Sequence, residues 1–262
     1  MNKQELKISL ETSGFFKSFE KMIDQPYGPI DYGARLKAKK FESLFDADLN
    51  YAYNGETRVD LFMGWHAVLN SEKSTNEDLL VACLEIFDWG GVLNSNVKKA
   101  VDLYKNGTLK SYLKHVSSLL KVEETLAEKK SSQNITWTSG WTKVYSIMNN
   151  DILIYDSRVS AFLNYCLTID YEKFDSKQLS AFTDLSKWLY NFGGAPGRER
   201  KLDKKFGFKN QHPSGVKGFN ANLIASWIVQ LTNDELELQK NVRAFERSFF
   251  MLGFDLKQIK EN

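Results

Sequence analysis

Hydrophobic residues along most of the chain recur every three or four positions, which is the spacing of an amphipathic α-helix. The clearest runs span residues 79–87, 97–104 and 109–120. Residues 74–77, Ser-Thr-Asn-Glu, have the form of a capping box in front of the first run, and Gly90 follows that run as a stop signal. Because only short turns separate the runs, the pattern predicts helices of ordinary length packed antiparallel to one another.

The same spacing of apolar positions occurs elsewhere in the chain, at residues 56–69, 179–190, 220–231 and 234–252. The sequence has only 4 prolines, so long stretches contain no helix breaker. Residues 152–155, Ile-Leu-Ile-Tyr, are the one segment whose composition favours an extended chain, and this segment is too short to found a sheet. We therefore predict an all-α protein in which residues 1–262 form a single helical unit.

The composition is that of a folded protein with a large apolar interior. Hydrophobic residues make up 42% of the chain and aromatic residues 13%, which argues against a disordered protein. The formal net charge is only +2, so any affinity for nucleic acid has to come from a local patch. The sequence shows neither a secretory signal core nor an apolar run long enough to span a membrane, so we expect a cytoplasmic protein and a monomer.

Cysteine and histidine are too few and too scattered to indicate a metal or cofactor site. The two cysteines, Cys83 and Cys166, lie in apolar runs and are expected to be buried. The three histidines, His66, His115 and His212, are far apart in the sequence and form no ligand motif. We therefore predict chemistry that needs no metal and no cofactor.

Two polar segments interrupt the helical pattern. Residues 121–133 carry charges of both signs and are expected to be a solvated helix and loop. Residues 196–218 form a basic insertion, with seven basic residues against two acidic ones and with aromatic residues and glycines between them. This composition suits a loop that follows a nucleic-acid backbone and stacks on bases, and a plain solvated loop is the alternative. The residues predicted to contact nucleic acid here are Arg198, Arg200, Lys201, Lys204, Lys205 and His212.

The most specific chemical signal is a lysine and an aspartate, Lys143 and Asp156, that lie 13 positions apart near two predicted helix starts. Residues 139–141 have the composition of a turn and residues 142–148 that of a short helix, and Asp156 stands at a favourable N-cap position for a helix over 157–167. The field at a helix N-terminus disfavours an ammonium ion and is predicted to lower the pKa of Lys143. Taken singly, a surface lysine and an aspartate cap are ordinary. An amine and a carboxylate that lie close together are the smallest set of groups that can cleave a glycosidic bond through an imine.

The stretch around these two residues resembles the helix-hairpin-helix DNA glycosylases, and most of all their 8-oxoguanine DNA glycosylase branch. That family has a hairpin of the form Leu-Pro-Gly-Val-Gly-Thr-Lys-Val, followed by an apolar segment that ends in Val-Asp before a helix. Thr142-Lys143-Val144 coincides with the end of the hairpin, and Ile154-Tyr155-Asp156-Ser157-Arg158-Val159 is similar to the segment that holds the family's aspartate. The similarity covers residues 134–167, and the chain also resembles divergent glycosylase-fold proteins found with bacterial antiphage systems.

The resemblance implies a two-lobed helical glycosylase-like fold with a helix-hairpin-helix element, in which residues 1–120 form an N-terminal lobe and residues 121–262 the catalytic lobe. It implies that Lys143 is the catalytic nucleophile and that Asp156 stabilises the cationic sugar, with duplex or single-stranded DNA as the partner. The hairpin contacts to DNA would fall on Ser139, Gly140, Trp141, Thr142 and Arg158. The candidates to stack on the excised base are Trp137, Phe206, Phe208 and Phe249, with Phe250 beside them.

Two functions of different classes are compatible with these features. The first is a DNA glycosylase with AP lyase activity, in repair or in antiphage defence, that excises an 8-oxoguanine-like purine or an altered phage base. The second is a catalytically silent module that keeps the fold and binds nucleic acid or a protein partner, such as another component of a defence system. The retained Lys143 and Asp156 favour the enzyme, whereas Thr138-Ser139-Gly140-Trp141 in place of the family's Pro-Gly-Val-Gly favours the silent module.

Overall fold

A computed structural model describes residues 1–33, 36–51, 59–121, 135–194 and 197–260 of the chain. The all-α prediction is confirmed, because these residues form thirteen α-helices and a single two-stranded sheet. In chain order the elements are α1 Lys3–Ser13, α2 Phe15–Ile23, β1 Tyr27–Ile30, β2 Lys39–Phe41, α3 Asp46–Leu49, α4 Val59–Asn70, α5 Asn76–Trp89, α6 Ser95–Lys105, α7 Leu109–Leu120, α8 Trp141–Met148, α9 Ser157–Thr168, α10 Ser176–Ser186, α11 Gly215–Glu235, α12 Val242–Leu252 and α13 Lys257–Lys260. The start of the predicted helix 56–69 and most of the charged segment 121–133 lie outside the described residues.

Helix starts and ends follow local signals in the sequence. The capping box of α5 lies one residue later than predicted: Thr75 Oγ1 accepts from the backbone N–H of Asp78 at 3.2 Å, and Asp78 Oδ2 accepts from that of Thr75 at 2.8 Å. The hydroxyl of Ser74 points the other way and donates to the carbonyl of Val68 at 2.7 Å, which is why Ser74 is not the cap. Gly90 ends α5, as predicted.

Two later helices differ in extent from the periodic runs. α11 begins at Gly215, so the last residues of the basic insertion form the first turn of a helix rather than a loop. The run at 234–252 is divided between α11 and α12. The chain turns between these helices, where Glu237 and Gln239 have positive φ values of 49° and 54° that a right-handed helix cannot contain.

The two-stranded sheet is not apparent from the sequence. β1 and β2 pair antiparallel, with Tyr27 opposite Phe41. The strands are four and three residues long and β1 contains Gly28-Pro29, so no alternating pattern can develop. Residues 152–155, which were expected to be extended, form a non-helical link between α8 and α9 and belong to no sheet within the described ranges.

Helix α8, which carries the predicted nucleophile, lies in the protein interior. All eight of its residues are buried, including the polar Thr142, Lys143 and Ser146. Helices α4, α5 and α7 contact α8, while α9 packs against α12 and α2. The buried apolar side chains form one cluster that runs from Leu6 to Ile259, and the proposed division of the chain at residue 120 stays a prediction. None of the described helices combines the length and apolar composition that crossing a bilayer requires.

Candidate functional site

Lys143 is the buried member of the predicted pair. Its side chain is only 6% exposed, and its Nζ donates a hydrogen bond to the carbonyl oxygen of Ser139 at 2.8 Å. The aliphatic stem passes over the end of α5, where a Cβ added at Gly90 would lie 2.5 Å from Lys143 Cδ. The glycine that ends α5 therefore also makes room for the lysine.

The interior lowers the pKa of Lys143 below its usual value. Burial is the main cause, because it penalises the ammonium form. The carboxylates of Asp156 and Glu246 oppose this shift, and the charge of Arg158 adds to it. The direction agrees with the sequence-based prediction, but the cause differs, since burial rather than the helix dipole dominates.

Asp156 caps α9 as predicted. Its Oδ1 accepts from the backbone N–H groups of Arg158 and Val159 at 2.9 Å and 3.1 Å. These two bonds fix the orientation of the carboxylate. Within the described ranges Oδ2 accepts no hydrogen bond, so this oxygen can act on a ligand.

Lys143 and Asp156 line one cavity of about 230 Å³. The other polar and charged side chains along its wall include Ser139, Arg158, Arg200, His212 and Glu246. Its aromatic lining consists of Tyr51, Trp89, Phe192 and Phe250. Lys143 and Asp156, which are 13 positions apart in the sequence, thus line one pocket that also has aromatic walls.

Glu246 is a site residue that the sequence analysis missed. It is buried on α12, and its Oε2 accepts from the backbone N–H of Ile154 at 2.5 Å and from the guanidinium of Arg243. Burial raises the pKa of this carboxyl, although Arg243 and the N–H of Ile154 oppose the shift. The one available signal was a charged residue next to Phe245, on a helix whose neighbouring positions are mostly apolar.

The turn before α8 differs from an open hairpin, because two of its backbone N–H groups are already hydrogen-bonded. Gly140 and Trp141 both direct their backbone N–H groups to Thr138 Oγ1, at 3.2 Å and 3.1 Å. The Trp141 ring is fully buried and lies 5.3 Å from that of Phe87, and Thr142 is equally buried. These positions correct the expectation that the side chains of Trp141 and Thr142 contact nucleic acid, whereas the predicted contact Ser139 lines the cavity.

The aromatic residues predicted to hold the base lie away from the cavity lining. Phe208 and Phe249 are buried against Phe182 and Phe162, with ring centroids 5.9 Å and 5.3 Å apart. Phe206 is half-buried against the ring of Tyr171 at 4.9 Å. Trp137 is buried behind the cavity wall, where its ring lies 6.2 Å from Phe192 and 6.3 Å from His212. Phe206, Phe208 and Phe249 therefore do not line the cavity that holds Lys143, whereas Phe250, also a candidate, does.

The basic insertion separates into two groups. Arg198 and Arg200 lie with Arg158 around the ring of Phe254, close to the cavity. Lys201, Lys204 and Lys205 are exposed and absent from the cavity lining, and Lys205 pairs with Glu172 at 2.5 Å.

The insertion is held against the protein at two points. Leu202 and Phe208 are buried, and Asn191 exchanges hydrogen bonds with the backbone of Leu202 at 2.7 Å and 2.9 Å. The backbone also forms a parallel bridge between Tyr190 and Lys209. The segment predicted to be a nucleic-acid-binding loop is therefore packed against the protein, and its basic residues form separate patches. The patch formed by Arg198 and Arg200 lies next to the cavity.

The described residues contain no group of three His, Cys, Asp or Glu side chains that could hold a metal ion. Cys83 and Cys166 are buried free thiols, and burial raises the pKa of Cys83 to about 12. Comparison of the chain with protein-family models, with curated proteins and with solved structures finds no match. A functional interpretation therefore depends on the geometry of the cavity, where an amine with a lowered pKa and an oriented carboxylate face the same space.

Proposed function

We propose that this protein is a DNA glycosylase with AP lyase activity that excises a modified or damaged base through an imine on Lys143. The observation that supports it is the buried amine of Lys143, whose pKa is lowered and which shares an aromatic-walled cavity with Asp156. A lysine acts as a nucleophile only as the neutral amine, and burial is a means of populating that form at neutral pH.

The proposed reaction begins with a nucleotide turned out of the base stack into the cavity. The amine of Lys143 attacks C1′ of the sugar as the C1′–N bond breaks, and the base leaves with the bonding electrons and takes up a proton. The attacking nitrogen loses a proton, and opening of the sugar ring places a proton on O4′ and forms the C1′=N imine. Loss of a C2′ proton then expels the 3′-phosphate by β-elimination and nicks the strand.

Asp156 would act through Oδ2. Because Oδ1 is held by two backbone N–H groups, the remaining oxygen has a fixed direction and can stabilise positive charge on the sugar as the base departs. The aromatic side chains of Trp89, Phe192 and Phe250 would stack on the base, as side chains do in enzymes that flip nucleotides.

The silent binding module is supported by a different observation. Thr138 Oγ1 accepts both backbone N–H groups at the turn before α8, so these groups are occupied and do not offer a cradle for a phosphate. A protein that had lost duplex binding through this turn could retain a cavity for a single flipped or unpaired nucleotide. The two functions make opposite predictions for covalent chemistry.

Borohydride trapping tests the proposal. The substrates would be duplex and single-stranded oligonucleotides that contain 8-oxoguanine, uracil, deazaguanine, hydroxymethylcytosine or an abasic site. We expect a trapped adduct for the wild type, and none for Lys143→Gln. A matched control is Lys177→Gln, since Lys177 is an exposed lysine in the first turn of α10 and should have no effect. An adduct that persists in Lys143→Gln would refute the site, and no adduct on any substrate would favour the silent module.

A further inference from the structure

Three arginine side chains from separate parts of the chain converge on one ring. The guanidinium carbons of Arg198, Arg158 and Arg200 lie 4.0 Å, 4.8 Å and 5.6 Å from the ring centroid of Phe254. Burial and the charges of the two neighbouring arginines lower the pKa of Arg200 to about 10, while Asp156 and Asp255 oppose that shift. Gathering three like charges costs free energy that an anionic ligand would offset.

Arg200 is held rigidly but keeps unused donors. Its side chain is 9% exposed, with Nε donating to the carbonyl of Phe254 at 3.0 Å and Nη1 donating to Ser157 Oγ at 3.2 Å. These bonds use two of the five guanidinium N–H groups, and Nη2 donates to no described residue. Arg200 also lines the cavity, so its remaining donors belong to a side chain that two hydrogen bonds hold in place at the cavity wall.

Two carboxylates, those of Asp156 and Asp255, lie near this cluster. Asp255 Oδ1 accepts from the backbone N–H of Glu199 at 3.0 Å, and Asp156 Oδ1 is occupied by the N-terminal N–H groups of α9. Neither Arg198 nor Arg200 forms an ion pair within the described parts of the chain.

We infer that Arg158, Arg198 and Arg200 form a binding site for a phosphate group of the nucleotide whose base enters the cavity. Guanidinium groups bind phosphate oxygens through paired N–H donors, and two of these three arginines line the same cavity as Lys143. The phosphate is either a terminal monoester or an internal diester, which share this chemistry. The site rests on the proposed function only in assigning the cavity to a nucleotide.

Binding measurements that need no catalysis test the site. The first probes are deoxyguanosine and deoxyguanosine 5′-monophosphate, measured by calorimetry. The second are single-stranded and duplex oligonucleotides that contain a stable abasic analogue, with each flanking phosphate replaced in turn by a neutral methylphosphonate and measured by fluorescence anisotropy. The variants are Arg198→Gln, whose side chain is half-buried, and Arg200→Gln, with exposed Lys177→Gln as the control.

We expect Arg198→Gln to weaken binding of phosphate-bearing probes at least about tenfold, as for a lost charge-assisted hydrogen bond, and Lys177→Gln to have no such effect. A terminal phosphate would be indicated by tight binding of the monophosphate and not of the nucleoside. An internal diester would be indicated by one methylphosphonate that weakens the wild type but not Arg198→Gln. Equal losses in Arg198→Gln and Lys177→Gln, or none in either, would overturn the site. Phosphate-dependent binding without a borohydride adduct would refute the glycosylase and leave the phosphate site standing.

Discussion

Replacing Gly90 with alanine should disable Lys143 without altering any chemical group in the cavity. Gly90 has φ −76° and ψ −5°, a conformation that alanine adopts freely, so the substitution acts only through its added methyl group. That methyl carbon would lie 2.5 Å from Lys143 Cδ and 2.6 Å from Cε. Carbon atoms in contact are about 3.5–4.0 Å apart, so the stem of Lys143 has to move by about 1 Å.

A displacement of this size has a predictable effect on rate. Moving a reacting group by about 1 Å can reduce a rate about 100-fold, because attack requires a closely defined approach. The stability of the fold should change little, since alanine restricts the unfolded chain and the two shortest contacts are with the flexible stem of a lysine, while the nearest backbone atom, the carbonyl oxygen of Ile86, would be 3.2 Å from the added carbon. The expected outcome is therefore a folded protein with a trapping rate about 100-fold below that of the wild type.

The assay is single-turnover borohydride trapping on an abasic oligonucleotide, with urea unfolding of the same preparations. Gly64→Ala is the matched control, because Gly64 lies within α4 and a Cβ there would have nothing within 4 Å. It should leave trapping unchanged and add about 0.5–1 kcal/mol of stability, as alanine does in a helix. If Gly90→Ala is folded and traps at the wild-type rate, the position of Lys143 does not control the reaction.

Two further substitutions test the carboxyl groups. Asp156→Asn should keep the N-cap of α9, so the free energy of unfolding measured by urea titration should change by no more than about 0.5 kcal/mol. Because the charge is lost, the same variant should trap at least about 100-fold more slowly. Normal trapping would exclude Asp156 from the reaction. Glu246→Gln removes a charge that raises the pKa of Lys143, so the acid limb of the pH–trapping profile should move to lower pH, and an unmoved limb would contradict this coupling. Because burial raises the pKa of Glu246, the wild type should lose stability as pH rises from about 4.5 through that raised value, and Glu246→Gln should lose less over the same range.

Local signals predicted the parts of the site that are contiguous in sequence. The turn at 139–141, the short helix that follows and the Asp156 cap are each determined by a few neighbouring residues, through glycine, helix propensity and side-chain capping. The structure places them within one residue of the predicted bounds. The lysine and the aspartate could therefore be assigned to one pocket from their spacing and from the resemblance.

Residues brought in from distant elements could not be predicted in the same way. Gly90 has the sequence signature of a helix stop, and nothing near it indicates that it also makes room for a lysine 53 positions later. Phe249 and Phe250 illustrate a second limit. They are adjacent on α12 and point in different directions, so only the packing of Phe249 against Phe162 leaves Phe250 for the cavity.

The basic insertion shows why composition alone misplaces charges. Its net positive charge suggested one nucleic-acid surface, but the buried Leu202 and Phe208 fasten the segment at two points. Arg200, which precedes the first point, lines the cavity with Arg198 beside it, whereas Lys204 and Lys205, between the two points, face solvent. A count of charges cannot predict which basic residues lie near the cavity and which face solvent, because this depends on which apolar residues of the segment are buried.

The surroundings of Lys143 favour a functional role for this residue over a purely structural one. An ammonium group has three N–H donors, and a buried ammonium is tolerated when it is paired with a carboxylate. Lys143 donates one hydrogen bond, to Ser139, and forms no ion pair within the described ranges, although Asp156 and Glu246 line the same cavity. A lysine kept for stability would close an ion pair with one of these carboxylates or extend to solvent. A lysine that does neither is better suited to the neutral form, whose lone pair is the nucleophile that imine chemistry requires.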